Sequence, residues 1–390
     1  MSAARARIYL DYNASAPIFP EVAEAVASAL HLANPSSVHA EGRLARAAVE
    51  KARRQVAELA GADPACVVFT SGGSEAANAV LRGLSDGSVA PGRLLVADIE
   101  HPCVLTGHGF DAGDVSKLPV DRDGILDLAA LEQALIAAEA NGERGLLALQ
   151  VANNETGVIQ PLRAASDLVH RHGGLVMADA VQAAGKIPLS LPMLGADAIV
   201  ISAHKIGGPK GVGAIIFASE SIRLGDALVN GGGQEKSQRS GTENVAGIVG
   251  FGIASELVRR KLSEMPEIAG LRDQLERNIR EMAPEAVIFG LNAERLPNTT
   301  ALSLPGLRAE TALIAFDLDG VAISSGSACS SGKVRRSAVL KAMGIDDALA
   351  EGALRISLGW GTTEAHINAF LTAFEQRVRI ARARMESKAA

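Results

Sequence analysis

Short aliphatic runs alternate with Ala-, Leu-, Glu- and Arg-rich stretches over most of this chain, which predicts an α/β fold built on a mostly parallel sheet covered on both faces. The length, 390 residues, is enough for two or three domains. The alternation stops near residue 245, where long helical stretches and sparser strands predict a second, smaller α+β domain joined by the N-terminal segment.

Taken in order, Cys66–Thr70 is the first buried strand, and Glu75–Leu84 follows as a helix. Arg93–Asp98 is the next strand; Leu128–Ala140 has helical spacing and Leu146–Ala152 returns to a strand. Pro161–His172 reads as a helix stopped by Gly173-Gly174. Three closely spaced runs, Leu175–Ala180, Ala196–Ser202 and Ala214–Phe217, complete the strand set. Beyond them, Asn244–Met265 and Glu267–Met282 read as helices, Thr299–Leu304 and Leu354–Leu358 as strands, and Thr363 to about Met385 as a closing helix. In parallel sheets of this kind ligands sit beyond the carboxyl ends of the strands, so the residues after each run matter most.

Composition excludes several functions. Aromatic residues make up 3% of the chain, too few for base-stacking platforms, and 38 basic against 44 acidic residues leave a net charge of −6, which argues against nucleic acid or an anionic membrane as partner. An apolar content of 48% excludes disorder, and no apolar run approaches a membrane span. The start, MSAARARIYLDY, has no apolar core of a signal peptide. Three widely spaced cysteines, Cys66, Cys103 and Cys329, fit a reducing compartment, and a cytoplasmic enzyme is expected. No Cys/His cluster has metal spacing, so no metal is expected. Gly326–Lys333 imitates a P-loop, but five residues separate its glycines instead of four, and Val334 stands where magnesium needs Ser or Thr.

Two signals remain. Thr70–Asn78 (TSGGSEAAN) follows a strand and opens a helix; Gly72 and Gly73 let backbone N–H groups approach an anion, and Ser74 adds a hydroxyl at the positive helix end. Asp179 closes one apolar strand and Lys205 follows another, leading into Gly207-Gly208-Pro209-Lys210-Gly211, a loop shaped for close approach of a ligand. A carboxylate within an apolar strand is costly unless it meets a cation. An aldehyde cofactor with a ring nitrogen satisfies both residues: lysine condenses with the aldehyde, and aspartate keeps the pyridinium protonated. Pyridoxal 5'-phosphate is that cofactor, and its phosphate suits the Thr70–Ser74 turn.

With these residues in hand, the sequence resembles the class V aminotransferase family, specifically cysteine desulfurases of the NifS/IscS type. The resemblance rests on Tyr9–Ala14, Asn34–Ser37, Thr70–Asn78, Glu100-His101, Asn153–Gly157, Asp179–Gln182, Ser202–Lys205, Arg239–Asn244, Ser325–Ser331 and Arg355–Ser357, and so runs nearly end to end. It implies a fold type I pyridoxal-phosphate enzyme. A large domain, 15–255, carries a seven-stranded, mostly parallel sheet; a small one, 1–14 with 256–390, carries a mobile loop with Cys329. By resemblance, Lys205, Cys329 and His101 are catalytic. Gly73, Ser74, His101, Asn153, Asp179, Gln182, Ser202, His204 and Lys205 bind the cofactor, with Thr242 reaching across a homodimer interface. Asn34, Asn153 and Arg355 bind the substrate, L-cysteine. Its sulfur passes to a persulfide on Cys329, leaving L-alanine, and then to an acceptor such as an iron–sulfur scaffold protein. Cys329 also reads as reactive by itself, since its Ser/Gly-rich surroundings are too polar for a core. Cys103 has no role by resemblance and reads as a packed helix residue. Ser74 replaces the family's more common Thr, keeping the hydroxyl. A selenocysteine lyase or another class V enzyme is the alternative; a non-catalytic sulfur-transfer scaffold would have lost Lys205, Asp179 or Cys329, and all three are present.

Overall fold

The structure is a computed structural model that describes residues 7–326 and 336–389. Cys329 lies outside the described residues, as do all residues between Gly326 and Arg336.

Seven strands form the central sheet, in the spatial order Val67–Thr70, Gly213–Phe217, Ala198–Ser202, Leu175–Asp179, Gly145–Gln150, Arg93–Ala97, Val115–Leu118. Gly213–Phe217 runs antiparallel to both neighbours and every other pairing is parallel, so the sheet is mostly parallel as expected. Helices cover both faces, and alternate side chains serve each: Leu95 and Ala97 join one buried cluster, Leu94 and Val96 the other. Cys66, expected to open the first strand, instead ends a short 3-10 turn, Pro64–Cys66, capped by the Asp63 side chain accepting from the Ala65 N–H.

Two helices that the alternation left unassigned, Pro20–Ala29 and Ala40–Ala60, pack against Val245–Lys261. The buried Ala45, Val49, Ala52 and Val56 recur at helical spacing along one face of the second. Gly252 lets the helices close up: a Cβ there would lie 2.6 Å from the Ala52 Cα. The long helix expected to run to Met265 ends at Lys261; a 3-10 turn follows, and Met265–Met282 starts anew with Pro266 in its first turn. Proline lacks the N–H that a continuing helix would need, which places the break.

The C-terminal part builds a second sheet of four antiparallel strands in the order Val287–Ile288, Thr299–Ser303, Leu354–Ser357, Ser324–Ser325. Its core gathers Leu10 with residues from Met265 to Ala381, including the stacked rings of Phe316 and Phe370. The N-terminal strand Ile8–Tyr9 pairs in parallel with Val321–Ala322. Residues 11–15 then pass back to the carboxyl ends of the large sheet's strands, where Ala16 N–H donates to the His204 carbonyl. Among the described residues, no helix is long and apolar enough to cross a membrane.

Candidate active site

A cavity of about 380 Å³ opens at the carboxyl ends of the parallel strands, where this sheet type places its ligands. Its lining includes Gly73, Ser74, His101, Asp179, Gln182, Ser202, His204, Lys205 and Arg355, so nine of the expected residues converge on one space.

One wall is the turn from strand Val67–Thr70 into helix Gly73–Gly83, which points its free N–H groups at the cavity. A Cβ on Gly73 would sit 2.9 Å from Val181 Cγ2 and 3.4 Å from Ser202 Cβ, so the cradle has no room for one. Ser202 ends its strand, and Lys205 stands in the 3-10 turn Ala203–Lys205 that follows. Lys205 Nζ donates to the carbonyls of Asn13 at 2.6 Å and Ala14 at 3.0 Å. Gly207 and Gly208, after it, serve protein packing rather than ligand approach, while Gly211 has open space around it. A Cβ on Gly207 would meet Phe19 at 2.7 Å and Trp360 at 2.9 Å, and one on Gly208 would meet the Ala203 carbonyl at 2.8 Å.

Asp179 ends the central strand Leu175–Asp179 and accepts from the Val181 N–H at 2.9 Å. Burial pushes its carboxyl up to about 6, against the Val181 hydrogen bond and the Lys205 charge, both of which lower it. Such a carboxyl is poised for a cation. Glu100 is buried beside it, held well above the ordinary carboxyl range by desolvation; one oxygen accepts from the Gln150 N–H at 2.9 Å and the other has no partner among the described residues. The two histidines are driven the other way. His101 is lowered by burial and by the Lys205 charge, and His204 falls to about 4 through burial with the charges of Lys205 and Lys210. Both are therefore neutral at pH 7, and His101 offers a flat uncharged face to the cavity.

Arg355, from the antiparallel strand Leu354–Ser357, enters from the second sheet. It is 2% exposed, donates to the Asn154 carbonyl at 3.1 Å and to Asp11 at 2.8 Å, and its Nε has no hydrogen-bond partner among the described residues. A buried guanidinium with a free donor suits a carboxylate.

Three expected residues stand elsewhere. Asn153 is fully buried behind the wall: its carbonyl oxygen accepts from the N–H groups of Glu155 and Thr156 at 2.9 Å each, its amide donates to the Ile99 carbonyl, and Asn154 lines the cavity in its place. Asn34 is exposed and closes a turn by accepting from the Ser36 N–H. Thr242 is exposed in a separate hollow shared with Ser71 and Arg239. Cys103 is more than a packed helix residue: it lines the cavity, its Sγ lies 2.9 Å from His101 Nδ1, and burial raises its thiol to about 12, so it stays protonated. Residues given no role from the sequence, Asn13, Gln150 and Asn154, also line the cavity. Asn13 lies within the Tyr9–Ala14 block, so a signal was present, but a polar residue between a strand and a turn looks like any loop.

Residues 8–370 match the family described as aminotransferase class-V. A cysteine desulfurase IscS of Dictyoglomus turgidum is 37% identical over 379 residues, covering 95% of this chain and 94% of the relative. A cysteine desulfurase of Sinorhizobium fredii is 40% identical over 375 residues, covering 93% and 94%. Among solved structures, a NifS-like protein from Rickettsia africae superposes with a TM-score of 0.85 at 35% identity, covering 95% of this chain and 99% of that one. By sequence and by fold, this chain belongs to the class-V aminotransferase family, among its cysteine desulfurases of the NifS/IscS type.

Proposed function

We propose that this protein is a cysteine desulfurase that moves sulfur from L-cysteine to its own Cys329, leaving L-alanine, with pyridoxal 5'-phosphate held in the cavity. The observation that carries the reading is the convergence of Lys205, Asp179, His101 and Arg355 on one space beside a helix N-terminus.

The residues present fit the cofactor. The Gly73 cradle, which a Cβ would fill, and the hydroxyls of Ser74 and Ser202 suit a phosphate, with neutral His204 beside them. The raised Asp179 carboxyl suits a pyridinium nitrogen, and His101 suits the ring face. When bound, pyridoxal phosphate supplies an aldehyde for amines and an electron-withdrawing ring.

The chain's own residues do the rest. Asp179 would hold a proton on a pyridine nitrogen by setting its charge beside it. Arg355 binds the substrate carboxylate, using the free Nε donor, and so fixes which bond at Cα faces Lys205. Lys205 Nζ would take the proton from the substrate Cα, and His101, kept neutral by burial and by Lys205, would hold and pass protons within the same cavity. Cys329 Sγ, having given up its proton, forms a bond to the substrate sulfur as the substrate's Cβ–S bond breaks and its electron pair goes to Cβ; the remaining carbon fragment gains a proton at Cβ, takes back from Lys205 the one removed from Cα, and leaves as L-alanine. The persulfide then gives its outer sulfur to an acceptor thiol, such as that of an iron–sulfur scaffold protein, in a reducing, cytoplasmic setting. The exposed Thr242 fits a homodimer in which it reaches the partner's phosphate site, and the separate core of Leu10 with residues 265–381 fits a small domain made of 1–14 and 256–390.

Purified protein should be yellow and should release sulfide and alanine in equal amounts from L-cysteine with a reductant. Cys329→Ala should abolish sulfide release and keep the colour; unchanged sulfide production in that variant refutes the reading.

A further inference from the structure

Lys186 carries a buried amine that the proposed mechanism does not use. It is 8% exposed and lies behind the cavity wall, four residues beyond Gln182. Its Nζ donates to Gln182 Oε1 at 2.7 Å and to Asn13 Oδ1 at 2.8 Å. Burying an ammonium is expensive, and the positive charges that face it, Lys205 and Arg355, make it more so; burial foremost holds its pKa well below that of an ordinary lysine. An apolar side chain of the same length would fill the space at less cost. The hydrogen bonds are what the lysine adds.

Their consequence is an orientation. A side-chain amide has an acceptor end and a donor end of nearly equal size, and only its partners decide which way it points. Lys186 is a donor, so Gln182 must turn Oε1 toward it. The Gln182 NH2 group then gives one hydrogen to the Asn13 carbonyl, at 3.0 Å, and keeps its second for the cavity that Gln182 lines. In the flipped amide, NH2 would face the lysine N–H groups and Oε1 would face the Asn13 carbonyl, two repulsive contacts in a dry site. The same lysine orients Asn13, whose Oδ1 also accepts from Asn298 at 3.1 Å while its amide donates to Thr299 at 2.9 Å.

We propose that Lys186 is a positioning residue that fixes the Gln182 amide with its NH2 group toward the cavity, so that Gln182 meets a bound cofactor as a hydrogen-bond donor. A donor suits an anionic oxygen, and the family resemblance gives Gln182 the phenolic oxygen of pyridoxal phosphate; what the structure adds is the lysine that turns the amide. The inference rests on the cavity being the pyridoxal phosphate site. A donor at this oxygen stabilises its negative charge and lowers the pH at which the bound chromophore loses its proton.

The test is a pH titration of the visible absorbance of protein loaded with pyridoxal phosphate. Lys186→Met should raise the midpoint by about 0.5–1 pH unit, a roughly three- to tenfold change in the acid constant. Gln182→Leu should raise it similarly, and the double variant should go no further than either single one. Lys186→Gln, which also lacks the lysine's reach and charge, stands in if the apolar change prevents folding. An unmoved midpoint in a lysine variant that binds the cofactor, an unmoved midpoint in Gln182→Leu, or additive shifts in the double variant would each overturn the proposal. A lysine that only supported the fold would lower thermal stability without moving the midpoint. If the unaltered protein takes up no pyridoxal phosphate, the cofactor reading fails instead, and the two failures are distinct.

Discussion

Replacing Asp179 with asparagine should stabilise the cofactor-free protein and destabilise the cofactor-loaded one. Asparagine keeps the acceptor for the Val181 N–H and removes the charge. Burial lifts this carboxyl from 3.8 to about 6, so the folded protein holds the proton more tightly than the unfolded chain, which corresponds to about 3 kcal/mol at full ionisation. The sign follows. The group's contribution is fully present below about pH 4, fades as pH rises, and is lost above about pH 6. At pH 8 the cofactor-free variant should therefore exceed the unaltered protein by up to about 3 kcal/mol, and near pH 4 the two should converge. Glu100 couples to Asp179 in the same direction, so neutralising Asp179 eases that carboxyl as well. Urea unfolding read by the fluorescence of Trp360 is the assay. It is the single tryptophan of the chain, stacked on Phe19 with centroids 4.2 Å apart. With pyridoxal phosphate added in excess, the order should reverse, because the asparagine offers no charge to a pyridinium and the linkage gained from binding shrinks. Equal stabilities at pH 8 without cofactor, or no reversal with it, would show that Asp179 is already compensated and is not held in readiness for a cation.

Two further outcomes test the frame around the site. Gly73→Ala places a Cβ 2.9 Å from the β-branched Val181, which cannot swing aside, and should weaken pyridoxal phosphate binding about tenfold by equilibrium titration; unchanged affinity would remove this turn from the site. Arg53→Ala breaks a buried two-pronged pair with Glu235, both contacts 2.8 Å, and leaves that carboxylate to Arg53's former surroundings and the Phe69 N–H alone. A loss of about 3–5 kcal/mol is expected in urea, with Arg53→Met/Glu235→Leu recovering much of it; a loss below about 1 kcal/mol would show that the pair is not what holds the left-handed run Glu235–Ser237 in place.

Much of this was legible in the residues because the large sheet's strands are buried on both faces and so read as unbroken aliphatic runs. Leu175–Asp179 and Gly213–Phe217 lie within a residue of their expected limits, and the helix Leu128–Ala140 matches at both ends, where Asp127 caps its start. The helices Pro20–Ala29 and Ala40–Ala60 were missed, although Pro20 at the first turn and Gly61 with φ of 63° after the last are start and stop signals. Residues at strand ends, Asp179 and Lys205, were findable because a charge beside an apolar run is conspicuous. Lys186 was not, because nothing local in Ala183–Ile187 tells a buried lysine from a solvated one; its partner Asn13 is remote in sequence, as are Val258 and Met265, which line the same small hollow. The packing of Gly207 escapes sequence reading for the same reason: the groups that crowd it, Phe19 and Trp360, are far away along the chain.

The path of the N-terminal strand bears on how the molecule is made. Ile8 and Tyr9 find their partners at Val321 and Ala322, Leu10 accepts from the Ser357 N–H at 2.9 Å, and the Asn13 N–H donates to the Ser357 hydroxyl at 3.0 Å. Residues 8–13 are therefore made well before the partners they pair with at 321–357, while the sheet between them can fold as it emerges. Asn13 and Ala14 hold the Lys205 amine, and Asp11 holds Arg355. A chain made only as far as the large sheet thus carries its lysine but not the enclosure around it, and a reactive amine acquires its pocket only once residues 321–357 have been made.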